Sequence, residues 1–176
     1  MSSAAQKLLI IQTGGTIDKD YPRQIGGYAF EIEKPASERI LLHRAHLTTE
    51  QQKLHQFLTV CQKDSQDINQ TDRSSLAEAC RKSTCSKILI THGTDSILQT
   101  AAYLSERTSC CEGKVVVLTG SFRPEIFRDS DADFNIGMAV AGLQLIREPG
   151  VYVAIQGLIG HWSKFSRNMT TGEYRI

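Results

Sequence analysis

The chain has 176 residues, of which 40% are hydrophobic and 22% are charged, so it can bury one substantial core but not two large domains. Its 20 basic and 19 acidic side chains leave a formal net charge of +1, which argues against a nucleic acid or an anionic membrane as the partner. We therefore expect a single domain, residues 1–176, whose partner is a small molecule.

The cysteines and the first residues of the chain bear on its location. An odd number of cysteines with an adjacent pair, in a chain large enough to fold without disulfides, favours a reducing compartment. The opening MSSAAQ carries no basic segment, and the apolar run LLII is too short for a signal peptide or a membrane span. We expect a soluble cytoplasmic protein.

Short apolar runs alternate along the chain with segments of helical spacing. In chain order, we predict a strand at 8–12, a mobile loop at 21–27, a helix and then a strand ending near 62 within 37–62, a helix at 74–82, a strand at 87–91, a helix at 96–107, a strand at 115–119, a helix at 135–147 and a strand at 151–155. This alternation predicts an α/β fold, a three-layer sandwich with a mostly parallel sheet.

Four loops that follow predicted strands carry unusual polar residues. They are TGGTID (13–18), KDSQD (63–67), THGTDS (91–96) and TGSFRPE (119–125). Each one alone is ordinary, because Gly, Ser, Thr and Asp are common in loops and helix caps. Ligands of open α/β sheets bind beyond the carboxyl ends of the strands, so we expect the four loops to meet at one edge.

The first of these loops favours acyl transfer over phosphate binding. It lacks the third glycine of a dinucleotide fingerprint and the Gly-Lys-Ser/Thr ending of a P-loop. Its two glycines permit a tight turn that would present the hydroxyls of Thr13 and Thr16 beside backbone N–H donors. A hydroxyl is a weak nucleophile without a neighbouring base, so a second loop must supply one.

Together, the blocks TGGTID, DSQD, HGTDS and LTGSFRP followed by DADFNIGMAV resemble, in the same order, the motifs of the bacterial-type L-asparaginase/glutaminase family. The resemblance is to the larger N-terminal domain of that family, and we expect the smaller C-terminal domain to be absent. It implies hydrolysis of L-asparagine to L-aspartate and ammonia, with no metal or organic cofactor. Members of the family work as dimers and tetramers, so we expect a homodimer in which another surface of the same protein closes the pocket; the alternative is a more open site that binds substrate weakly.

Carried over by position, the resemblance implies that Thr16 is the acylated nucleophile and that Thr94 and Asp95 belong to the catalytic group. The family's group also contains a lysine, for which we choose Lys164, because its ammonium could hold a nearby hydroxyl or carboxylate. The spacing from the last predicted strand points nearer to Arg167, whose guanidinium could not shuttle a proton.

The family's flexible lid contributes a tyrosine, for which Tyr21 and Tyr28 are equal candidates. In the family's substrate clamp, Ser65 and Gln66 would hold the carboxylate of the amino acid while Asp95 pairs with its ammonium group. The implied substrate-binding residues are Gly15, Ser65, Gln66, Gly93, Thr94 and Asp95. A zwitterion held at both ends would present its amide to the nucleophile, with backbone N–H groups of the first turn stabilising the oxyanion.

Two other functions stay open at this point. A non-catalytic amino-acid sensor would need Ser65 and Asp95 but not Thr16, and a hydrolase of glutamine or another small amide would differ only in pocket depth. The histidines and cysteines show no zinc-site spacing, and His92 is expected to support its own turn. The segment 123–133 is expected to be a solvated loop before a helix, with Asp131 or Asp133 as the cap.

Overall fold

A mostly parallel sheet forms the centre of the structure, a computed structural model that describes residues 7–22 and 29–176. The strands are β1 (Leu8–Gly14), β2 (Lys19–Asp20), β3 (Glu31–Ile32), β4 (His55–Lys63), β5 (Lys87–Thr91), β6 (Val115–Thr119), β7 (Gly150–Ile155), β8 (Leu158–His161), β9 (Ser166–Arg167) and β10 (Tyr174–Arg175). The central sheet has the order β4-β1-β5-β6-β7-β8, and only its last pair is antiparallel. The short strands pair as β2 with β3 and β9 with β10.

Helices cover both faces of this sheet. They are α1 (Ala36–Arg39), α2 (Thr49–Gln52), α3 (Gln70–Lys82), α4 (Ile97–Glu106), α5 (Thr108–Cys111) and α6 (Ala132–Leu145), and a π-helical turn, Ile40–Arg44, continues α1. Side chains of α3, α4 and α5 share one apolar cluster, whereas α1, the π-helical turn and α6 share the other. The predicted three-layer α/β sandwich is therefore confirmed.

The central strands are apolar on both faces because both faces are covered. Ile88 and Ile90 of β5 pack in the cluster that contains Leu76 of α3, and Leu89 between them packs in the cluster that contains Ile136 of α6. Side chains alternate along a strand with a period of two, so a continuous apolar run is what a doubly covered parallel strand requires.

Most predicted elements agree with the structure, and the differences have local causes. The strands predicted at 87–91 and 115–119 have these bounds in the structure, and the predicted strand near 62 is β4, which ends at Lys63. Helix α3 begins at Gln70 rather than near residue 74, because the side chains of Asn69 and Asp72 each accept the other's backbone N–H in a capping box. The predicted loop at 21–27 lies largely outside the described residues.

The segment 123–133 is largely exposed and leads into α6, as expected, but one of its acids is buried. The side chain of Glu125 is fully buried and forms ion pairs with Arg39 and Arg44. Asp131 precedes α6 but does not cap it through its side chain; its carboxylate instead accepts the N–H groups of Phe122 and Arg123. Within the described ranges, no helix combines the length and the apolar character that crossing a membrane requires.

Candidate functional site

The parallel register aligns the loops that carry the sequence motifs. Gln12 of β1 lies opposite Thr91 of β5, and Thr91 lies opposite Thr119 of β6. Gly14, one residue past a register shift in β1, lies opposite Lys63 at the end of β4. The four loops therefore leave the sheet at one edge, as predicted.

Three of these loops contact one another at two glycines, Gly15 and Gly93. Gly15 has a φ of +90°, and a Cβ atom built on it would lie 2.4 Å from both the N and the Cα of Gly93. A Cβ atom on Gly93 would in turn lie 2.6 Å from the Cβ of Ser65. Contacts this close leave no room for a side chain, so the glycines set the distance between the loops.

The two hydroxyls of the first loop have different surroundings. Thr13 is buried, and its hydroxyl donates to the carbonyl oxygen of Thr91 at 2.9 Å. Thr16 is half-buried at the start of a 3-10 turn, Thr16–Asp18, and its hydroxyl has no hydrogen-bond partner among the described residues. The N–H of Gly15 donates to the carbonyl of Lys63 at 2.9 Å, so this donor of the turn is already used.

Asp95 is the centre of a polar cluster. Its Oδ1 accepts a hydrogen bond from Nη1 of Arg167 at 2.7 Å, and its Oδ2 accepts one from Nε2 of Gln66 at 2.8 Å. Its backbone N–H donates a hydrogen bond to Oγ of Ser65 at 3.1 Å. The hydrogen bonds from Gln66 and Arg167 hold the pKa of the Asp95 carboxyl below its usual range. The predicted clamp residues Ser65, Gln66 and Asp95 are therefore together, and Asp95 is a carboxylate at neutral pH.

The cation beside Asp95 is Arg167 and not Lys164. Arg167 lies on β9, and its Nη1 also donates to the carbonyl oxygen of Thr94 at 2.9 Å. Tyr174 on the paired strand β10 donates its hydroxyl to the same carbonyl. Lys164 is exposed at the end of a 3-10 turn, Trp162–Lys164, and makes no hydrogen bond or ion pair with the described residues. Of the two positions that the sequence left open, the structure brings only the arginine to Thr94 and Asp95.

His92 has the supporting role predicted for it. Its ring is fully buried, with Nδ1 2.8 Å from the carbonyl oxygen of Gly93 and Nε2 2.8 Å from Oγ1 of Thr100. Burial lowers its pKa to about 4, so the ring is neutral at physiological pH. The neutral ring ties the third loop to α4.

Of the two tyrosines predicted for the lid, the structure describes only Tyr21. Tyr21 follows β2, is exposed, and packs edge-on against Phe30 with the ring centroids 5.9 Å apart. Phe30 packs in the same way against Phe127. Tyr28 lies outside the described residues.

Sequence reasoning missed two buried acids, Asp18 and Glu125, at the 3-10 turn that begins with Thr16. Oδ1 of Asp18 accepts the N–H of Ala36 at 2.8 Å, while Oδ2 is buried with no hydrogen-bond partner in the described part of the chain. Burial raises the pKa of the Asp18 carboxyl to about 7. Glu125 contacts the same turn, because its N–H donates to the carbonyl of Ile17 at 3.2 Å. Nothing in the local pattern marks either acid as buried, since their cover comes from distant segments.

A cavity of about 500 Å³ opens beside the clamp residues. Its wall includes Ser65, Gln66, Asp95, Arg167 and Arg73, but not Thr16 or Thr94. A larger cavity, of about 570 Å³, lies between the π-helical turn and α6 and contains none of the predicted site residues. The smaller cavity is therefore the candidate binding site. No cluster of three or more His, Cys, Asp or Glu side chains suited to a metal ion occurs within residues 7–22 and 29–176.

Comparison with solved structures shows the same architecture in an L-asparaginase and in a probable L-asparaginase. The thermostable L-asparaginase from Thermococcus kodakarensis matches 97% of this chain with 25% sequence identity and a TM-score of 0.75. A probable cytoplasmic L-asparaginase from Campylobacter jejuni matches 92% with 24% identity and a TM-score of 0.74. The chain covers 51% and 49% of these two proteins, so it spans about half of their length.

Sequence comparison places the chain in a family. No curated protein sequence matches it. The family model of the asparaginase N-terminal domain, however, matches residues 7–173, which is nearly the whole chain. The match includes all four loops at the carboxyl edge of the sheet, and it agrees with the resemblance seen in their sequences. The chain therefore belongs to the asparaginase family.

Proposed function

We propose that the protein hydrolyses the side-chain amide of a small carboxylate-bearing amide, with L-asparagine as the reference substrate. The hydroxyl oxygen of Thr16 attacks the amide carbon, the C–N bond breaks, and ammonia leaves a threonyl ester. Water then cleaves the ester, which gives the acid and restores Thr16. The observation that carries the proposal is the backbone contact of Gly15 with Gly93, which holds the loop of Thr16 against the loop of Thr94 and Asp95.

The surrounding residues have distinct parts in this mechanism. Ser65 and Gln66 hold the substrate, and Arg167 orients Asp95 and the Thr94 carbonyl. Because a guanidinium stays protonated, Arg167 does not take the proton of Thr16. We assign that relay to one of the tyrosine candidates, Tyr21 or Tyr28.

Ammonia release from asparagine, glutamine and simple amides tests the proposal. We expect the wild type to release ammonia and Thr16→Ala to lose about 10³-fold or more of that rate, since it removes the atom that forms the ester. Thr170→Ala, at an exposed threonine near the chain end, is the matched control and should keep the wild-type rate. Full activity in Thr16→Ala would remove Thr16 from the role. The panel also ranks asparagine against glutamine, which a pocket separates by only about 1 to 3 kcal/mol for one methylene.

A sensor that binds without turnover is the second candidate. Two observations favour it: Thr16 lies outside the wall of the cavity, and the cation beside Asp95 is an arginine. If no amide is hydrolysed while a carboxylate-bearing amide still binds, the protein is a sensor.

We further propose a cytoplasmic protein that forms a homodimer, in which a second copy narrows the open side of the cavity. Analytical ultracentrifugation at the concentration of the activity assay tests this assembly. A strictly monomeric protein with full activity would contradict a shared site.

A further inference from the structure

The carboxylate of Asp95 is already occupied within the chain. Arg167 binds one of its oxygens and Gln66 binds the other, and the side chain of Arg167 is only 12% exposed. The cation of this ion pair is therefore largely buried, so the pair is not an exposed surface contact. A ligand near this carboxylate therefore contacts an ion pair, Asp95 with Arg167, that has no net charge.

The cavity beside this pair carries an excess of positive charge. Among the described residues, its wall contains two arginines, Arg73 and Arg167, and one acid, Asp95. Arg73 donates Nε to the Thr100 hydroxyl at 3.1 Å and makes no ion pair with the described residues. The Nε of Arg167 is buried and lacks a hydrogen-bond partner in the same part of the chain. A buried N–H without a partner is costly, so a ligand oxygen that reached it would be stabilised.

We propose, resting on the proposed function, that the site prefers amides that carry a carboxylate but no free α-ammonium group over zwitterionic amino-acid amides. Succinamate, which is L-asparagine without its amino group, is the simplest example. Its single negative charge is complementary to the arginine excess, and its carboxylate could accept the unused donors of Arg73 and Arg167. An α-ammonium group would be attracted only weakly to Asp95, because Arg167 already neutralises that carboxylate. It would also be repelled by the guanidinium groups of Arg73 and Arg167.

The reaction on such a substrate balances without a co-reactant other than water. The Thr16 oxygen forms a bond with the amide carbon of succinamate as the C–N bond breaks, and ammonia leaves. Water then hydrolyses the ester, so succinamate and water give succinate and ammonium. Arg167 is in this proposal the residue that determines specificity.

Calorimetric titration of Thr16→Ala with succinamate and with L-asparagine, each up to tens of millimolar, tests the proposal without interference from turnover. We expect succinamate to bind at least about tenfold more tightly. Equal or tighter binding of L-asparagine would overturn the proposal, and so would the absence of binding by both.

A variant assigns the preference to Arg167. Arg167→Met keeps an unbranched side chain but removes the charge, which frees Asp95 for an ammonium group and should reverse the order of the two ligands. Arg81→Met is the matched control, because Arg81 is also an ion-paired arginine but lies on the exposed side of α3. It should keep the wild-type order. If Arg167→Met does not fold, the titration of Thr16→Ala alone decides the proposal.

Ammonia release separates failure of the inference from failure of the proposed function. If wild-type protein hydrolyses L-asparagine faster than succinamate and also binds it more tightly, the proposed function stands and the preference is wrong. If succinamate binds more tightly but no amide is hydrolysed, the preference stands and the protein is a sensor.

Discussion

Two aspartates belong to the loops that meet at Gly15 and Gly93, and they differ in burial, in hydrogen bonding and in pKa. Asp18 follows Thr16 by two residues, is completely buried, and has one oxygen without a partner in the described structure. Asp95 is reached through the Gly15–Gly93 contact; its side chain is 42% exposed, and both its oxygens are hydrogen-bonded. Burial raises the pKa of Asp18 to about 7, whereas Gln66 and Arg167 lower that of Asp95.

This difference indicates that Asp18 supports the fold, whereas Asp95 is suited to ligand binding. A carboxyl group that is buried without an ionic partner favours its neutral form and can act mainly through hydrogen bonds to its own fold. A carboxylate at the rim of a cavity, held by an arginine, keeps its charge and faces solvent. The same residue type therefore has two roles in neighbouring loops, and its environment decides which.

The largest expected effect concerns the pH dependence that Asp18 gives to stability. Its pKa is higher in the folded state than the usual 3.8, so the folded state binds more protons between about pH 4 and pH 7. The free energy of unfolding therefore falls as pH rises through that window. Ionisation of Asp18 does not lower it below the window, and the full loss is reached above the window. A pKa of about 7 corresponds to about 4 kcal/mol at most. Asp18→Asn cannot ionise, and its side-chain oxygen can still accept the N–H of Ala36.

Urea unfolding of wild type and Asp18→Asn from pH 4 to pH 8 measures this effect. We expect the free energy of unfolding of the variant, relative to wild type, to increase with pH up to about pH 7. A difference that does not depend on pH would show that Asp18 ionises as freely in the folded chain as in the unfolded one, and the contrast with Asp95 would disappear.

The next largest effect is expected at Gly15, whose contact with Gly93 joins the loop of Asp18 to the loop of Asp95. Gly15→Ala places a methyl group against the backbone of Gly93 at a positive φ, and we expect a loss of about 3 kcal/mol in the free energy of unfolding. Gly113→Ala is the matched control, because Gly113 also has a positive φ, +67°, but nothing lies within 4 Å of its Cβ position. It should lose only about 1 kcal/mol. Equal losses would mean that the loops are not in contact at Gly15.

The convergence of these loops could be predicted from the sequence because it follows from topology. The apolar runs of β5 and β6 are bounded by clear loop signals, and parallel strands bring their carboxyl ends to the same edge. The antiparallel strand β8 was not predicted, although it follows a two-residue turn, Gln156 and Gly157, in which both residues have positive φ. A Gln-Gly turn is a weaker hairpin signal than Asn-Gly, and the strand it precedes is short.

The identity of the cation beside Asp95 could not be settled from the sequence. Lys164 and Arg167 are three residues apart, and residue spacing alone does not decide which one turns inward. That choice depends on β9 and β10, which are only two residues long and have no periodicity to detect. Nor does any local pattern show that Asp18 is buried or that it accepts the N–H of Ala36, 18 residues away.

A smaller effect of opposite sign is expected for Asp95→Asn. The lowered pKa of Asp95 means that its contribution to stability is present above the usual value of 3.8 and is lost as pH falls below it. The variant should therefore lie closest to wild type in strong acid and fall below it as pH rises towards the usual value of 3.8. The loss at neutral pH should stay below about 1 kcal/mol, because the carboxylate is partly exposed. Parallel curves for Asp95→Asn and Asp18→Asn, in the urea titration extended down to about pH 2, would contradict the distinction between the two acids.

The smallest effect is expected at Lys164, the residue that the sequence favoured for the site. Its side chain is exposed and makes no hydrogen bond or ion pair with the described residues, so Lys164→Ala should change the free energy of unfolding by no more than about 0.5 kcal/mol. Its ammonia release should equal that of wild type. Arg167→Lys is the informative partner, because it restores a lysine at the position that contacts Asp95 and adds a group that can transfer a proton. If Lys164→Ala lost about 100-fold of the activity while Arg167→Lys left the rate unchanged, the ammonium would come from residue 164, and its 3-10 turn would have to move inward during catalysis.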